Sequence, residues 1–413
     1  MDHSTLPTPP DGGHPDSGVQ PDSGAPLGSA PHAPRPARRR PRALGTLITG
    51  LVLAAATIAL VVAVLSDAHG VASQAGRLGV NFLISQASAL AAPASTSAIA
   101  SRVDPGLVNI SVSNTTTGFR GEATGMVLTP SGVVLTNNHV IQGATNVRAT
   151  DVGNGRTYTA SVVGYDRGGD VAVIQLHGAS GLQTVPLGDS SSLGVGAPVT
   201  ALGNAGGGGG TPRVATGAVA GLGRSIVASD LGGGNSERLA GLIETSAAVL
   251  PGDSGGPLVN DAGQVIGMDA AAASTNGSYV AQSTTAQSFA IPINEALGVV
   301  KAVENGPVAT GVHVGPTAFL GVAVVPPQFV GPQASQSQGV MIGAALRGYP
   351  AAAAGLAKGD VITSVDGQPV TSPSTLTDLL TAHHPGDTVR IGWTDPSGAS
   401  HSTTVKLASG PPA

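Results

Sequence analysis

A short glycine-rich segment holds the residue best suited to covalent chemistry in this chain. Residues 252–258 read GDSGGPL and follow Pro251. A serine hydroxyl attacks a carbonyl carbon when a base takes its proton and a third group holds that base. The flanking glycines let the backbone direct the N–H groups of Gly252 and Ser254 toward one point, where an oxyanion would form. Because the chain has no cysteine, a thiolate nucleophile, disulfides and thiolate metal sites are excluded.

The base and its orienting carboxylate are best assigned to His139 and Asp170. His139 lies in LTNNHV, where a strand gives way to a loop, whereas His177 ends the strand VIQLH and is interpreted as an exposed edge residue. Asp170 directly precedes the apolar run VAVIQL, which would hold it partly buried. Asp166 and Asp189 are the rival carboxylates, and we interpret both as surface turn residues.

The order His139, Asp170, Ser254 resembles that of the trypsin-like double β-barrel serine proteases. More narrowly, the segments TNNHVI, DVAVIQL, ALGN, VATGAVAGLGR, PGDSGGPLV and FAIPIN resemble the bacterial HtrA/Deg family in content and order. The resemblance implies that Ser254 attacks the scissile peptide carbonyl, that His139 transfers its proton to the leaving amine, and that Asp170 holds the imidazole. It also implies misfolded or regulatory extracytoplasmic proteins as substrates, a part in protein quality control, and no cofactor or metal ion.

The C-terminal region, residues 318–408, resembles a bacterial PDZ domain. Phe319, Leu320, Gly321 and Val322 match its carboxylate-binding loop, and GYPAAAAGLAKGDVITSVDGQPV matches its most recognisable segment. The resemblance implies that backbone N–H groups of this loop bind the C-terminal carboxylate of a peptide, while a strand edge accepts the peptide by β-augmentation. The alternative is that Phe319 and Leu320 are core residues of a domain that only packs.

Three positions near the nucleophile qualify the resemblance. Asp253 stands where the family usually has Asn, and we expect it to pair with an internal cation or backbone N–H groups and to influence whether the oxyanion hole forms. Glu244 lies in ETSAA, where the family often has Thr-Asp-Ala. The absence of that Asp is expected to alter the support of nearby loops. Ala248 corresponds to the base of the primary specificity pocket in trypsin-like folds, and its uncharged side chain predicts a small apolar P1 residue.

Other classes of protein share parts of these patterns. Residues 252–256 also fit the G-x-S-x-G elbow of α/β-hydrolases, but that fold needs a histidine after the serine and helices between its strands. A subtilisin-like order would need Asp before His, which finds no support. A catalytically silent or gated adaptor that uses the PDZ domain as a peptide receptor is the alternative function. His383 and His384 are interpreted as a solvated helix end, with no third metal ligand nearby.

The elements that must position these residues are mainly strands. From Leu107 onward, short β-branched runs alternate with turn residues, which predicts a mainly β fold, here a double β-barrel followed by a PDZ domain. A helix is predicted from Asn294 to Glu304. We place the protease domain at residues 101–305, a linker at 306–317, the PDZ domain at 318–408 and a tail at 409–413.

The N-terminal region predicts a membrane anchor. Residues 1–42 are proline-rich and expected to be disordered, and residues 66–100 read as a linker. Residues 43–65 carry no charge and, as a helix of about 1.5 Å per residue, are long enough to cross a bilayer. An arginine cluster at 35–42 places the N-terminus in the cytoplasm and the catalytic domain outside. A cleaved signal peptide, with Ala89-Leu90-Ala91 as a cleavage pattern, and a buried core helix are the alternatives.

Charge and aromatic content limit the partners. The net charge is −5 and the arginine cluster supplies many of the cations, so the rest of the chain lacks the basic face that nucleic acids require. Family members often form trimers through the start of the protease domain, but residues 102–122 offer only Phe119 as an aromatic contact. A homo-trimer is therefore an expectation that rests on the resemblance rather than on these residues.

Overall fold

The computed structural model describes residues 95–115, 117–229, 236–272, 287–306, 311–326, 329 and 339–413. The predicted tail, apolar span and most of the linker, residues 1–94, lie outside the described residues. Within the described part, no helix is long and apolar enough to cross a membrane.

Six strands form the first barrel. They run in the order β5-β4-β1-β2-β3-β6, and pairing of β5 with β6 closes the ring. The strands are β1 Leu107–Ser113, β2 Arg120–Val127, β3 Val133–Thr136, β4 Asn146–Asp151, β5 Thr157–Asp166 and β6 Val171–Leu176. Buried apolar side chains of these strands form a core that includes Ile110, Val134 and Ile174, and burial alternates between the two faces along β4.

The second barrel is also closed and six-stranded, in the order β10-β11-β12-β9-β8-β7. Its strands are β7 Pro198–Gly203, β8 Arg213–Ser229, β9 Ser236–Thr245, β10 Pro257–Val259, β11 Val265–Ala272 and β12 Ser288–Pro292. One apolar cluster joins both barrels through residues such as Leu107, Leu135, Leu202 and Met268. The two closed barrels confirm the mainly β class and the double-barrel expectation.

Two helices flank the barrels. Helix α1, Thr96–Val103, begins where Ser95 Oγ accepts the Ala98 N–H, and it buries Ile99 and Val103 on one face. Ser95 therefore caps a helix that includes residues 96–100 of the predicted linker. The helix forms because Ile99 and Val103, four residues apart, give it an apolar face to bury. A later helix, Ile293–Asn305, agrees with the predicted one and ends at Gly306, whose φ of 83° suits a helix terminus.

The C-terminal domain has a sheet and two short helices. Its strands are β15 Val322–Val324, β16 Val340–Ala345, β17 Val361–Val365, β18 Gln368–Pro369, β19 Thr388–Thr394 and β20 Ser400–Lys406. Its helices are Pro350–Ala353 and Pro373–Thr381. The helices after α1 are numbered along the chain. They are α2 (Asn138–Ile141), a single turn in the first barrel, α3 (Ile293–Asn305), α4 (Pro350–Ala353) and α5 (Pro373–Thr381).

The predicted linker 306–317 and tail 409–413 contain strands that join the two domains. Strand β13, Val312–Val314, pairs with β5 of the first barrel, and β14, Thr317–Phe319, pairs with β21, Ala408–Gly410. Beyond β21, Pro412 O accepts the Gly143 N–H at 2.8 Å. Strand β13 and Pro412 pair with backbone groups of the first barrel, whereas β14 and β21 pair with each other, and local composition reveals neither long-range pairing.

The C-terminal domain also contacts the first barrel through side chains. Arg167, in the loop after β5, forms an ion pair with Asp378 of α5. The Tyr165 hydroxyl lies 3.0 Å from Thr317 Oγ1. Both barrel residues are close to Asp170 in sequence, so the C-terminal domain packs against the region that holds the candidate carboxylate.

Candidate active site

Asp170 occupies a tight turn between β5 and β6. Its φ is +52°, a left-handed conformation that is costly for a residue with a side chain. Its N–H donates to Arg167 O at 3.1 Å, and its own carbonyl accepts the Asn137 side-chain amide at 3.0 Å. Asp170 is 4% exposed, so the apolar strand that follows buries it as expected.

His139 is paired with Asp170 by three hydrogen bonds. The Asp170 carboxylate accepts the His139 backbone N–H at 2.9 Å, and its two oxygens lie 2.9 and 3.1 Å from Nδ1. Because carboxylate oxygens only accept, Nδ1 carries the proton and Nε2 is left as the basic nitrogen. His139 lies in the single-turn helix α2, whereas the sequence predicted a loop at this point.

The rival residues lie elsewhere. His177 is exposed directly after β6, as expected. Asp189 is exposed and caps a short turn at Ser190–Ser192, also as expected. Asp166 is half-buried rather than a surface residue, because its carboxylate turns inward to accept the Gly169 N–H, and burial raises its pKa.

The segment that contains the candidate nucleophile Ser254, residues 246–256, forms a turn between β9 and β10, here called the nucleophile turn. Gly252 has a φ of 101°, and a side chain there would collide with the Asn204 carbonyl. In this turn the N–H groups of Asp253, Gly255 and Gly256 donate to backbone carbonyls. Within the described residues, no backbone carbonyl accepts the N–H of Gly252 or Ser254. The Ser254 hydroxyl, half-buried, is 3.4 Å from the Ala270 carbonyl that it donates to.

Two buried threonines attach this turn to the first barrel. Thr124 Oγ1 donates to Gly252 O at 2.8 Å and accepts the Asn204 N–H at 2.8 Å, while the Thr124 N–H donates to Ser254 O at 2.9 Å. Thr136 Oγ1 donates to Thr124 O at 2.8 Å. Thr136 ends β3 just before His139. Through Thr124, the segment that carries the imidazole is therefore hydrogen-bonded to the turn that carries Ser254.

Sequence reasoning missed these threonines and Asn137. A threonine at a buried position of an apolar strand is the available signal, since its hydroxyl needs a partner. The glycine-rich loop that begins at Asn204 is attached to the nucleophile turn, because Asn204 is buried and the Gly206 N–H donates to Pro251 O at 2.9 Å.

Two further carboxyl groups lie beside the nucleophile turn. Asp253 Oδ2 accepts the Leu250 N–H at 2.9 Å and lies 3.5 Å from Arg213 Nη1, so it has the backbone and cationic partners expected. Asp269, on β11, is fully buried, and neither of its side-chain oxygens has a hydrogen-bond partner among the described residues. Burial, and secondarily the charge of Asp253, raises the pKa of Asp269 well above its usual range.

The remaining predicted positions are dispersed around the site. Ala248 is half-buried and its carbonyl accepts from Arg213 Nη1 at 2.8 Å. Glu244, buried at the end of β9, accepts from Arg224 Nε at 2.7 Å.

The predicted peptide-binding loop connects β14 and β15. Leu320 is fully buried in the C-terminal core, which agrees with the packing interpretation for that side chain. Gly321 has a φ of 84°, and a side chain there would collide with Tyr349, whose ring packs edge-on against Phe319. Val322 begins β15, which lies at one end of the order of described strands in its sheet. That edge is where an extended peptide would add.

Two family models match this chain. One, described as a trypsin-like peptidase domain, matches residues 123–268, and one described as a PDZ domain matches residues 318–394. The first match contains His139, Asp170 and Ser254, and the second contains the loop from Phe319 to Val322.

Curated relatives cover more of the chain. The serine protease PepD of Mycobacterium tuberculosis is 35% identical over 397 residues, 90% of this chain and 79% of that protein. The serine protease Do-like HtrA of Lactococcus lactis is 33% identical over 315 residues, 73% of this chain and 74% of that protein. A probable periplasmic serine protease, do/HhoA-like, of Haemophilus influenzae is 34% identical over 297 residues, 70% of this chain and 58% of that protein.

Proposed function

The chain belongs to the HtrA family of serine proteases with a PDZ domain, and we propose that Ser254, His139 and Asp170 are the catalytic groups of this endopeptidase. The observation that carries the proposal is the contact of His139 Nδ1 with both carboxylate oxygens of Asp170, at 2.9 and 3.1 Å. That contact fixes the tautomer in which Nε2 can accept a proton from a serine hydroxyl.

The steps follow from this arrangement. Ser254 Oγ forms a bond to the scissile carbonyl carbon as its proton passes to His139 Nε2, and Asp170 stabilises the imidazolium. The proton then moves to the leaving amine as the C–N bond breaks, which leaves an acyl-enzyme. Water then attacks the acyl carbon as its proton passes to the same imidazole. The bond from that carbon to Ser254 Oγ breaks, the imidazolium returns the proton to Oγ, and the new carboxyl terminus is released.

We assign the oxyanion hole to the N–H groups of Gly252 and Ser254. Two features support this assignment: neither N–H is used by the described backbone bonds of the turn, and the positive φ of Gly252 suits a turn that directs them together. Thr124 Oγ1, which donates a hydrogen bond to the Gly252 carbonyl, would hold that peptide unit in place.

We assign the floor of the specificity pocket to Ala248. Its small uncharged side chain supports cleavage after small apolar residues, because it supplies no partner for a basic P1 side chain. A peptide-library profile dominated by Arg or Lys at P1 would refute this assignment.

We propose that the PDZ domain binds C-terminal peptides at Phe319–Val322 and the edge of β15. We also propose an extracytoplasmic location, anchored by residues 43–65 with the N-terminus in the cytoplasm. The arginine cluster and apolar run support the anchor, and the periplasmic relative supports the location. Misfolded or regulatory envelope proteins as substrates, and a homo-trimer, remain predictions.

The proposed catalytic role predicts labelling by a fluorophosphonate probe that Ser254→Ala abolishes, because the probe reacts only with an activated serine. Ser131→Ala, in the exposed turn between β2 and β3, is the matched control and should label like the wild type. If the wild type shows no Ser254-dependent labelling under any condition, the gated adaptor becomes the better interpretation.

A further inference from the structure

We propose that Arg213 is a positioning residue for the nucleophile turn, acting through Asp253 and Ala248. It holds a buried carboxylate that closes the turn and, with the same nitrogen, a carbonyl of the assigned pocket floor. The inference deepens the proposed function and rests on it.

The Asp253 side chain closes the turn that contains Gly252. The Asp253 N–H donates to Leu250 O at 2.9 Å, and Asp253 Oδ2 accepts the Leu250 N–H at 2.9 Å. The same two residues are therefore joined in both directions, and the Gly252 peptide unit lies between them. The conformation of the turn depends on the Asp253 carboxylate as an acceptor.

That carboxylate is difficult to keep ionised. Asp253 is 2% exposed, and its Oδ1 has no hydrogen-bond partner among the described residues. Burial raises the pKa of Asp253, while the Leu250 N–H, the charge of Arg213 and the Ala205 N–H lower it. The nearby Asp269 carboxyl would repel it if ionised. Arg213 is the cation that opposes these effects.

Arg213 makes two contacts with one nitrogen. Its Nη1 lies 3.5 Å from Asp253 Oδ2 and donates to Ala248 O at 2.8 Å. Ala248 and Asp253 bound the segment that leads into Ser254. One guanidinium therefore contacts both ends of this segment, and it fixes the position of Ala248, the assigned pocket floor, relative to Asp253 in the nucleophile turn.

The barrel is shaped for this contact. Arg213 begins β8 and lies opposite Gly203 of β7. A Cβ on Gly203 would lie 2.6 Å from both Cα and Oδ1 of Asp253, so only glycine lets the turn rest on this hairpin. The Arg213 side chain stays 38% exposed, which limits the cost of desolvating its charge.

A second ion pair provides a matched control. Arg224 also lies on β8, and its Nε is 2.7 Å from Glu244 Oε2, closer than Arg213 is to Asp253. Neither Arg224 nor Glu244 lies in the segment from Ala248 to Ser254. A general effect of losing a β8 arginine would appear in Arg224→Gln as well as in Arg213→Gln.

The test measures kcat and KM across pH for the full chain on a chromogenic peptide with valine at P1, with active sites titrated by the fluorophosphonate probe. Arg213→Gln should lower kcat about tenfold, as expected for loss of a charge-assisted contact. The acidic limb of kcat/KM should move to higher pH, because Asp253 takes up a proton more readily without the cation. Arg213→Lys should retain kcat within about threefold, and Arg224→Gln within about twofold.

A double-mutant cycle with Asp253→Asn separates positioning from a merely structural role. The amide still accepts the Leu250 N–H but needs no cation, so Arg213→Gln should change kcat by less than about twofold in that background. An equal loss in both backgrounds, or an unchanged kcat and pH profile in Arg213→Gln, would overturn the inference. If Arg213→Gln does not fold, an equal loss from Arg213→Lys in both backgrounds would overturn it.

The two proposals fail differently. A wild type without Ser254-dependent labelling removes the proposed function and this inference with it. A wild type that labels, combined with additive Arg213 and Asp253 effects, removes only the role of Arg213.

Discussion

The turn that carries Asp170 and the turn that carries Ser254 support their buried carboxylates in different ways. Both oxygens of Asp170 contact His139, and one also accepts a backbone N–H of the same residue. At the other turn, Asp253 has one partnered oxygen, and Asp269 has no partnered side-chain oxygen among the described residues. The carboxylate of the first turn is paired with the imidazole that it orients, whereas Asp253 in the second turn is supported by the Leu250 N–H and by the charge of Arg213.

This difference separates two kinds of positioning. In the proposed mechanism the Asp170 contact is part of the catalytic arrangement, so its loss should remove function directly. The contacts around Asp253 and Thr124 act through the backbone of the nucleophile turn, so their loss should weaken function without abolishing it. A substitution at Asp269 should change the pH dependence of stability more than it changes activity.

The largest effect is expected at Asp170. Asp170→Asn should lower kcat on a peptide substrate about 10⁴-fold, because an amide at Nδ1 favours the wrong imidazole tautomer. The folded state should survive, since an amide oxygen can still accept the His139 N–H. Steady-state kinetics with probe-titrated enzyme measure the loss.

Asp166→Asn is the control for that prediction. Asp166 lies four residues earlier in the same turn region and is also partly buried. We expect it to lower kcat less than about tenfold, as its carboxylate contacts the Gly169 N–H rather than the imidazole. A loss at Asp166 equal to that at Asp170 would contradict the assignment.

A smaller effect is expected at Thr124. Thr124→Val keeps the side-chain shape but leaves Gly252 O and the Asn204 N–H without their hydroxyl partner. We expect a loss of about 2 kcal/mol in stability and about a tenfold drop in kcat. Thr150→Val is the control, because its Oγ1 contact with Thr157 lies at the surface. Equal effects of the two variants on kcat would show that Thr124 does not position the nucleophile turn.

Much of this arrangement was accessible from sequence. The runs LVNISV, VAVIQL and PVTALG are strands because β-branched residues alternate with turns. The local sequence around His139 and Asp170 also indicated two side chains that the structure brings into contact. Strand β4, Asn146–Asp151, was missed because Val147 is its only β-branched apolar residue, although its burial alternates from residue to residue.

The contacts between distant segments were not accessible. Thr124 and Arg213 gain their roles only when two barrels bring β2 and β8 to the same turn. The linker and tail strands are likewise defined by partners far along the chain. Local patterns report burial and turns, but not which distant backbone group a hydroxyl or guanidinium meets.

The smallest effect on activity is expected at Asp269, where the change appears as pH-dependent stability. Its raised folded-state pKa means that the folded protein keeps a proton that the unfolded chain releases near pH 4. The unfolded state therefore binds fewer protons above that pH, and stability falls as pH rises toward the folded-state pKa. Asn is neutral throughout and has the same shape, so Asp269→Asn removes this loss.

The melting temperature of Asp269→Asn should match that of the wild type near pH 4 and exceed it by several degrees near pH 7, at about 2–4 °C per kcal/mol. Asp261→Asn, in the turn between β10 and β11, controls for the loss of one charge and should show a difference that does not grow with pH. A constant difference for Asp269→Asn would mean that Asp269 is ionised in the folded state. The second turn would then hold two buried charges against one arginine, and its dependence on Arg213 would be greater than we propose.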